Sequence, residues 1–149
     1  MNVENNLTKD IIIIFLITAA WDVILRLFSE GKITFFGIEN MKWITVLKGY
    51  FEEHTVLSAA LIAGFVGAIT HYIIIKSTDL LKLSGFNIYT ILLTIFISGI
   101  VGIPMRYSGL FPHLKKHYYD NLGFWYSFAT DTFSGIVIGS TYKIIKLLI

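Results

Sequence analysis

The sequence of 149 residues contains no cysteine. This absence excludes disulfides, thiolate metal sites, haem attachment and cysteine nucleophiles. Charge is also scarce, since charged residues make up 15% of the chain, against about 25% in soluble domains. The formal net charge of +2 is too small to indicate nucleic-acid binding. With 55% hydrophobic residues and a mean hydropathy of +0.70, the composition predicts an integral membrane protein.

Long apolar runs are abundant. Four of them, each about 18 to 21 residues long, would cross the roughly 30 Å of bilayer hydrocarbon at 1.5 Å per helical residue. None has the polar face that a core helix of a soluble bundle needs. The runs are 11–28, 55–75, 87–105 and 122–142. The sequence therefore predicts an all-α, multi-pass protein with four transmembrane helices in a single domain, residues 1–149.

The first and third loops are predicted to lie on the membrane surface. From Asn40 onwards the first loop has apolar side chains at helical spacing, which is typical of an interfacial amphipathic helix. The third loop is rich in aromatic residues of the kind that favour headgroup depth. Two interpretations stay open: the loops only anchor the bundle, or they present a docking surface. The candidate docking residues are Trp43, Tyr50, Phe111, Lys115, Lys116, Tyr118 and Trp125.

Small residues recur every four positions inside the runs. Such rows let transmembrane helices approach closely. Because no hydrophobic driving force acts between helices in lipid, packing and interhelical hydrogen bonds must hold them together. They favour contacts within the chain over dimerisation. The predicted packing residues are Ala60, Gly64 and Ala68 in the second run, Ser98 and Gly102 in the third, and Gly135 and Gly139 in the fourth.

Ionisable residues at membrane depth are the sharpest functional clue, because a charge at the bilayer centre costs at least about 2.5 kcal/mol. Asp131 lies near the middle of the fourth run, while His71 and Arg106 lie near the ends of the second and third. Asp22 and Arg26 are one turn apart in the first run and are predicted to pair. These two charges also make the first helix the least certain span, with a tilted or re-entrant helix as the alternative.

Two interpretations of this intramembrane polar set follow. In the first, Asp22, Asp131, Arg26 and Arg106 neutralise one another in a structural network. In the second, Asp131 and His71 form a proton or cation relay, since intramembrane carboxylates mark ion paths. No filter motif or acidic ring is present in the sequence, so only an oligomer could build a ring.

Catalytic and metal-binding motifs are weak or absent. His113, His117 and Asp120 would share one helical face, but the neighbouring lysines and tyrosines favour a solvated interfacial face over a metal site. The GxSxG motif of serine hydrolases does not occur. We therefore predict no enzyme activity, no metal and no cofactor.

Two segments, AAWDVILRLFSEGKI and MRYSGLFPHLKKHYYDNLGFWYSFATDTFSGIVIG, resemble small multi-span membrane proteins of nucleocytoplasmic large DNA viruses, the giant-virus and algal-virus type. The resemblance covers a third to a half of the chain and includes no catalytic signature. It implies a structural protein of a virion's internal membrane or of host endomembranes, whose aromatic and basic loops contact minor capsid proteins. No catalytic residue transfers with the resemblance.

Overall fold

The structure, a computed structural model, describes residues 3–80, 88–107, 109, 112 and 115–149. The described part is all-helical, as predicted from the sequence. Four long helices are joined by short helical elements near one end of the bundle. The elements are α1 (Val3–Ser29), a 3₁₀ turn (Ile38–Asn40), α2 (Lys42–Glu52), α3 (Val56–Leu80), α4 (Ile88–Tyr107), a π-helical turn (Lys115–Tyr119), α5 (Asp120–Leu122) and α6 (Phe124–Leu148).

Each predicted span coincides with most of one long helix. Among the described residues, two segments are long and apolar enough to cross a membrane by length and composition: Leu7–Ser29 and Val56–Ser77. Helix α1 continues without a break through Asp22 and Arg26. This continuity argues against a re-entrant first segment.

Polar contacts fix the directions of three of the long helices. Near the start of α1, Asp10 meets Lys76 from the end of α3 and Lys146 from the end of α6, each at 3.1 Å. Near the other end of α1, Arg26 Nη1 donates to the His54 carbonyl, just before α3 begins (3.0 Å). Helices α3 and α6 therefore run antiparallel to α1, and α4 packs against both of them. We call the two ends of the bundle the Asp10 end and the α2 end.

Helices α1 and α3 pack closely because α3 has glycine where α1 presents side chains. A Cβ built on Gly64 would lie 2.9 Å from the Phe15 ring, and one built on Gly67 would lie 2.6 Å from Thr18 Cβ. Of the predicted small-residue row, Gly64 and Ala68 are buried and Ala60 is half-buried. The sequence analysis did not single out Gly67.

The packing residues predicted in the fourth apolar run, which forms most of α6, give a mixed result. Gly135 is buried, whereas a Cβ built on Gly139 would meet no described atom within 4 Å. The described part of the chain therefore shows no close contact at Gly139. The side chain of Ser98 and the surroundings of Gly102 lie outside the described residues.

The first loop forms the predicted amphipathic helix, but its apolar face is covered by protein. Helix α2 buries Trp43, Ile44, Leu47, Tyr50 and Phe51 in a cluster completed by α1, α3, the π-helical turn and α5. The prediction that Trp43, Tyr50 and Tyr118 form a docking surface is wrong, since all three are buried. Lys115, Lys116 and Trp125 remain partly or fully exposed, and Phe111 lies outside the described residues.

The close packing of α1 on α3 predicts a matched pair of substitutions. Gly67→Ala should destabilise the fold by about 1–3 kcal/mol, because the new methyl group overlaps Thr18 and the Thr18 Cβ cannot move without its backbone. Gly139→Ala should be neutral or stabilising by up to about 1 kcal/mol, because alanine favours the helix and meets no described atom. Thermal unfolding in detergent, followed by circular dichroism, measures both; equal midpoints would refute the packing argument.

Candidate functional site

A cavity of about 160 Å³ lies inside the bundle towards the α2 end. Helices α1, α2, α3 and α6 and the π-helical turn all contribute to its wall. An engineered cavity of about 150 Å³ holds benzene, and a water molecule takes about 30 Å³ of liquid. The space therefore suits several waters or one small molecule. Its polar and aromatic lining residues are Thr18, Trp21, Asp22, Trp43, Tyr50, Thr70, His71, Tyr118, Tyr119, Asp131 and Ser134.

Asp131 is half-buried on α6 and is held by two tyrosines. Tyr118 donates to Oδ1 at 3.2 Å, and Tyr119 donates to Oδ2 at 3.5 Å. The Tyr118 hydroxyl also bonds to Thr130 Oγ1. These contacts depend on the π-helical turn, which places two consecutive tyrosines against α6, and π geometry is frequent at functional sites.

Asp22 lies on the same cavity but does not form the predicted ion pair. The guanidinium of Arg26, one turn later, binds Glu30 instead, with Nε 3.1 Å from Oε1. It also donates to the His54 carbonyl. Arg26 therefore forms no ion pair with Asp22 or Asp131, although its charge acts on Asp22 from one turn away. The side chain of Arg106, the other predicted arginine, lies outside the described residues.

Two buried nitrogen atoms of cavity residues have no hydrogen-bond partner among the described residues: His71 Nδ1 and Trp43 Nε1. Both side chains are more than nine-tenths buried. A buried polar group left unpaired costs about 1–3 kcal/mol, so native proteins satisfy such groups with protein, water or ligand. Both nitrogen atoms are themselves inaccessible to solvent, so they lie within the cavity wall rather than at its surface.

The tyrosines of the cavity remain hydrogen-bond donors. Burial raises the pKa of Tyr50 well above its usual value, and the nearby Asp22 carboxylate raises it further. Burial likewise raises the pKa of Tyr118, with Asp131 as the next cause. Both phenols are therefore protonated at any physiological pH, and Tyr118 can keep donating to Asp131.

The described residues that line the cavity are acidic rather than basic. Asp22 and Asp131 are among them, and no described lining residue is lysine or arginine. Within the described part of the chain, no three His, Asp or Glu side chains come close enough to hold a metal ion. This arrangement is therefore suited to binding a proton or a cation within the cavity.

Two of the possible metal ligands of the third loop, His117 and Asp120, pair with different residues. His117 Nε2 lies 2.8 Å from Glu53 Oε2, and Asp120 pairs with Lys115 at 3.2 Å. His113 lies outside the described residues. The contact between His117 and Glu53 joins the π-helical turn to the end of α2.

A second polar cluster, which sequence reasoning missed, closes the Asp10 end. The side chain of Asp10 is only 4% exposed, and its two oxygens each accept from one lysine, Lys76 or Lys146. The lysines lie 66 and 136 residues away along the chain. No local spacing could have found this set, which ties α1, α3 and α6 together.

No family model, curated protein or solved structure matches the chain.

Asp10→Asn tests the cluster at the Asp10 end. The amide keeps the shape but removes the negative charge that Lys76 and Lys146 contact, so the free energy of unfolding should fall by about 1–3 kcal/mol. Asp120→Asn is the matched control, because its ion pair with Lys115 is exposed and worth at most about 1 kcal/mol. Thermal unfolding in detergent compares the two; a midpoint for Asp10→Asn no lower than for Asp120→Asn would contradict the assignment.

Proposed function

We propose that the protein is a multi-pass membrane protein whose cavity binds and relays a proton or small cation, with Asp131 and His71 as the relay groups. One observation carries this proposal. Asp131 is held by tyrosine hydroxyls beside a cavity, and Arg26 does not neutralise it. An ion pair between the Asp131 carboxylate and the Arg26 guanidinium would have favoured a purely structural role.

The outer surface of the bundle supports the membrane part of the proposal. Each long helix carries large apolar side chains that are more than half exposed, whereas soluble monomers rarely expose such surface over wide areas. One example per helix is Leu16, Phe65, Phe96 and Ile144. Helices α4 and α6 contain 20 and 25 residues and so also reach across about 30 Å of hydrocarbon.

The chemistry of the lining supports the relay. A carboxylate and an imidazole both exchange protons, and hydroxyl groups or waters between them pass protons along hydrogen bonds. His71 and Asp131 line the same cavity, so both proposed relay groups border one space. Asp22 supplies a second carboxylate on the same wall.

Flux measurements on proteoliposomes test this function. The wild-type protein should carry protons or monovalent cations faster than empty liposomes, as reported by an internal pH-sensitive dye under an imposed gradient. Asp131→Asn should lower the flux at least about tenfold, because the amide cannot exchange a proton at neutral pH. Asp120→Asn, which changes an exposed acid, should leave it unchanged. Equal flux for wild type and Asp131→Asn would overturn the proposal.

A second candidate function is membrane anchoring to partner proteins, such as minor capsid proteins of a virion. The observation that favours it is the set of exposed aromatic residues near the α2 end. Phe36 is 92% exposed and Trp125 is 77% exposed, and Lys116 is exposed as well. Phe36 also adopts a positive φ of 48° in the loop before α2.

Location tests this second function. A virion anchor should copurify with virus particles from infected cells and be released from them by detergent. Trp125→Ala should reduce its incorporation while leaving membrane insertion intact, because the side chain is exposed and supports no buried cluster. Absence of the protein from purified particles would remove this candidate.

A further inference from the structure

We infer that three buried side chains, one from each of three long helices, close the path between the cavity and the Asp10 end and limit the passage of ions along it. They are Ile14 on α1, Ile75 on α3 and Tyr142 on α6, and we call them the apolar layer. This inference rests on the proposed relay and names the residues that limit its rate.

Helical spacing on α1 gives the position of the apolar layer. Ile14 lies four residues after Asp10 and four residues before Thr18, which lines the cavity. Four residues make about one turn, or about 6 Å of helix, and keep the side chains on one face. Ile14 therefore lies between the cluster at the Asp10 end and the cavity, about one turn from each.

Helix α6 repeats this order in the opposite direction. Tyr142 lies four residues after Ile138, which lines the cavity, and four residues before Lys146. Lys146 in turn binds Asp10 at 3.1 Å. Tyr142 therefore lies at the same level as Ile14, between the same two polar regions.

Helix α3 supplies the third member of the layer. Ile75 lies four residues after His71 of the cavity wall and directly before Lys76, which binds Asp10 at 3.1 Å. The three side chains are in contact, since Ile14, Ile75 and Tyr142 form one packed cluster of buried residues. The layer therefore extends across all three helices.

The apolar layer leaves no place for water among the described residues. Ile14 is 0% exposed, Ile75 3% and Tyr142 6%. A buried water needs about two to four polar partners, isoleucine side chains offer none, and the Tyr142 hydroxyl already hydrogen-bonds to Asp10. Further side chains that are partly buried pack around the layer: Ile13, Ile17 and Tyr72.

Polar groups thus lie on both sides of a dry step. The distance from Thr18 to Asp10 is about 12 Å along α1, and its middle is apolar. Hydrophobic constrictions stop ions because water withdraws from them. A proton or cation that leaves the cavity towards Asp10 must cross this step, so water entry into the layer should limit the rate.

Threonine substitutions test the apolar layer. Ile14→Thr and Ile75→Thr keep a branched side chain and add a hydroxyl group that can hold water. Helix α1 already accommodates such a group, since the Thr18 hydroxyl donates to the Ile14 carbonyl at 2.9 Å. In proteoliposomes, each variant should raise the flux of protons or monovalent cations at least about fivefold over wild type, because the layer can then be hydrated.

Matched controls lie two residues away on the same helices. The side chains of Ile12 and Ile73 are 52% and 44% exposed on the outer surface of the bundle, so Ile12→Thr and Ile73→Thr should leave the flux unchanged. Adding Asp131→Asn to Ile75→Thr should return the flux to that of Asp131→Asn alone, because the path includes the cavity.

Folding is checked by circular dichroism and gel filtration before each flux measurement. If a threonine variant does not fold, the valine variant at the same position replaces it. Valine removes one methyl group from the constriction, costs only about 0.5–1.5 kcal/mol of stability, and should raise the flux at least about twofold. No increase from folded valine variants would then count against the layer.

The outcomes separate this inference from the proposed function. If the layer variants carry ions no faster than wild type while Asp131→Asn still lowers the wild-type flux, the inference is overturned and the relay stands. A flux that also rises in Ile12→Thr and Ile73→Thr, or that survives the addition of Asp131→Asn, does not pass through the layer and the cavity, and it overturns the inference as well.

The remaining outcomes concern a wild-type protein that conducts no better than empty liposomes. If the layer variants then show flux that depends on Asp131, the layer is a barrier and the inference stands, while the proposed activity of the wild-type protein falls. If they show none, both fall.

Discussion

The close approach of α1 and α3 determines where the remaining elements can lie. Because α3 has glycine at positions 64 and 67, the Phe15 and Thr18 side chains of α1 pack directly against its backbone. One turn beyond Thr18, Asp22 then faces the region lined by His71 and Gly67 on α3. Helix α6 packs beside this pair and contributes Asp131. A larger residue at Gly67 would push the helices apart and remove the geometry on which the cavity depends.

Amphipathic connections complete the cavity. Helix α2 and the π-helical turn have apolar faces that would suit a membrane surface, yet they pack on each other and on the ends of α1 and α3. Trp43, Tyr50 and Tyr118 are thereby placed on the cavity wall. Protein therefore forms the wall of the cavity at this end.

The sequence predicted the helices but not their contacts. Uninterrupted apolar runs and the absence of a polar face are local properties, so the positions of the long helices follow from composition and length. The periodicity of α2 likewise shows that it has an apolar face, but not whether lipid or protein covers that face. Arg26 has both Asp22 and Glu30 one turn away, and spacing alone does not choose between them. The partners of Asp10 come from two distant helix ends, which only the fold brings together.

Acidic side chains at the two ends of the bundle have different partners, and this difference is the strongest reason to assign a function to the cavity. At the Asp10 end, one buried carboxylate has two lysines, so its charge is compensated and it serves to hold helices together. At the α2 end, Asp131 has only tyrosine hydroxyls, and Asp22 forms no hydrogen bond or ion pair with the described residues. Arg26 acts on Asp22 through its charge, but no described basic side chain forms an ion pair with Asp22 or Asp131. Acidic side chains that have no ion-pair partner beside a cavity favour the binding of a proton or a positive ligand, and this preference connects the packing of the bundle to its proposed chemistry.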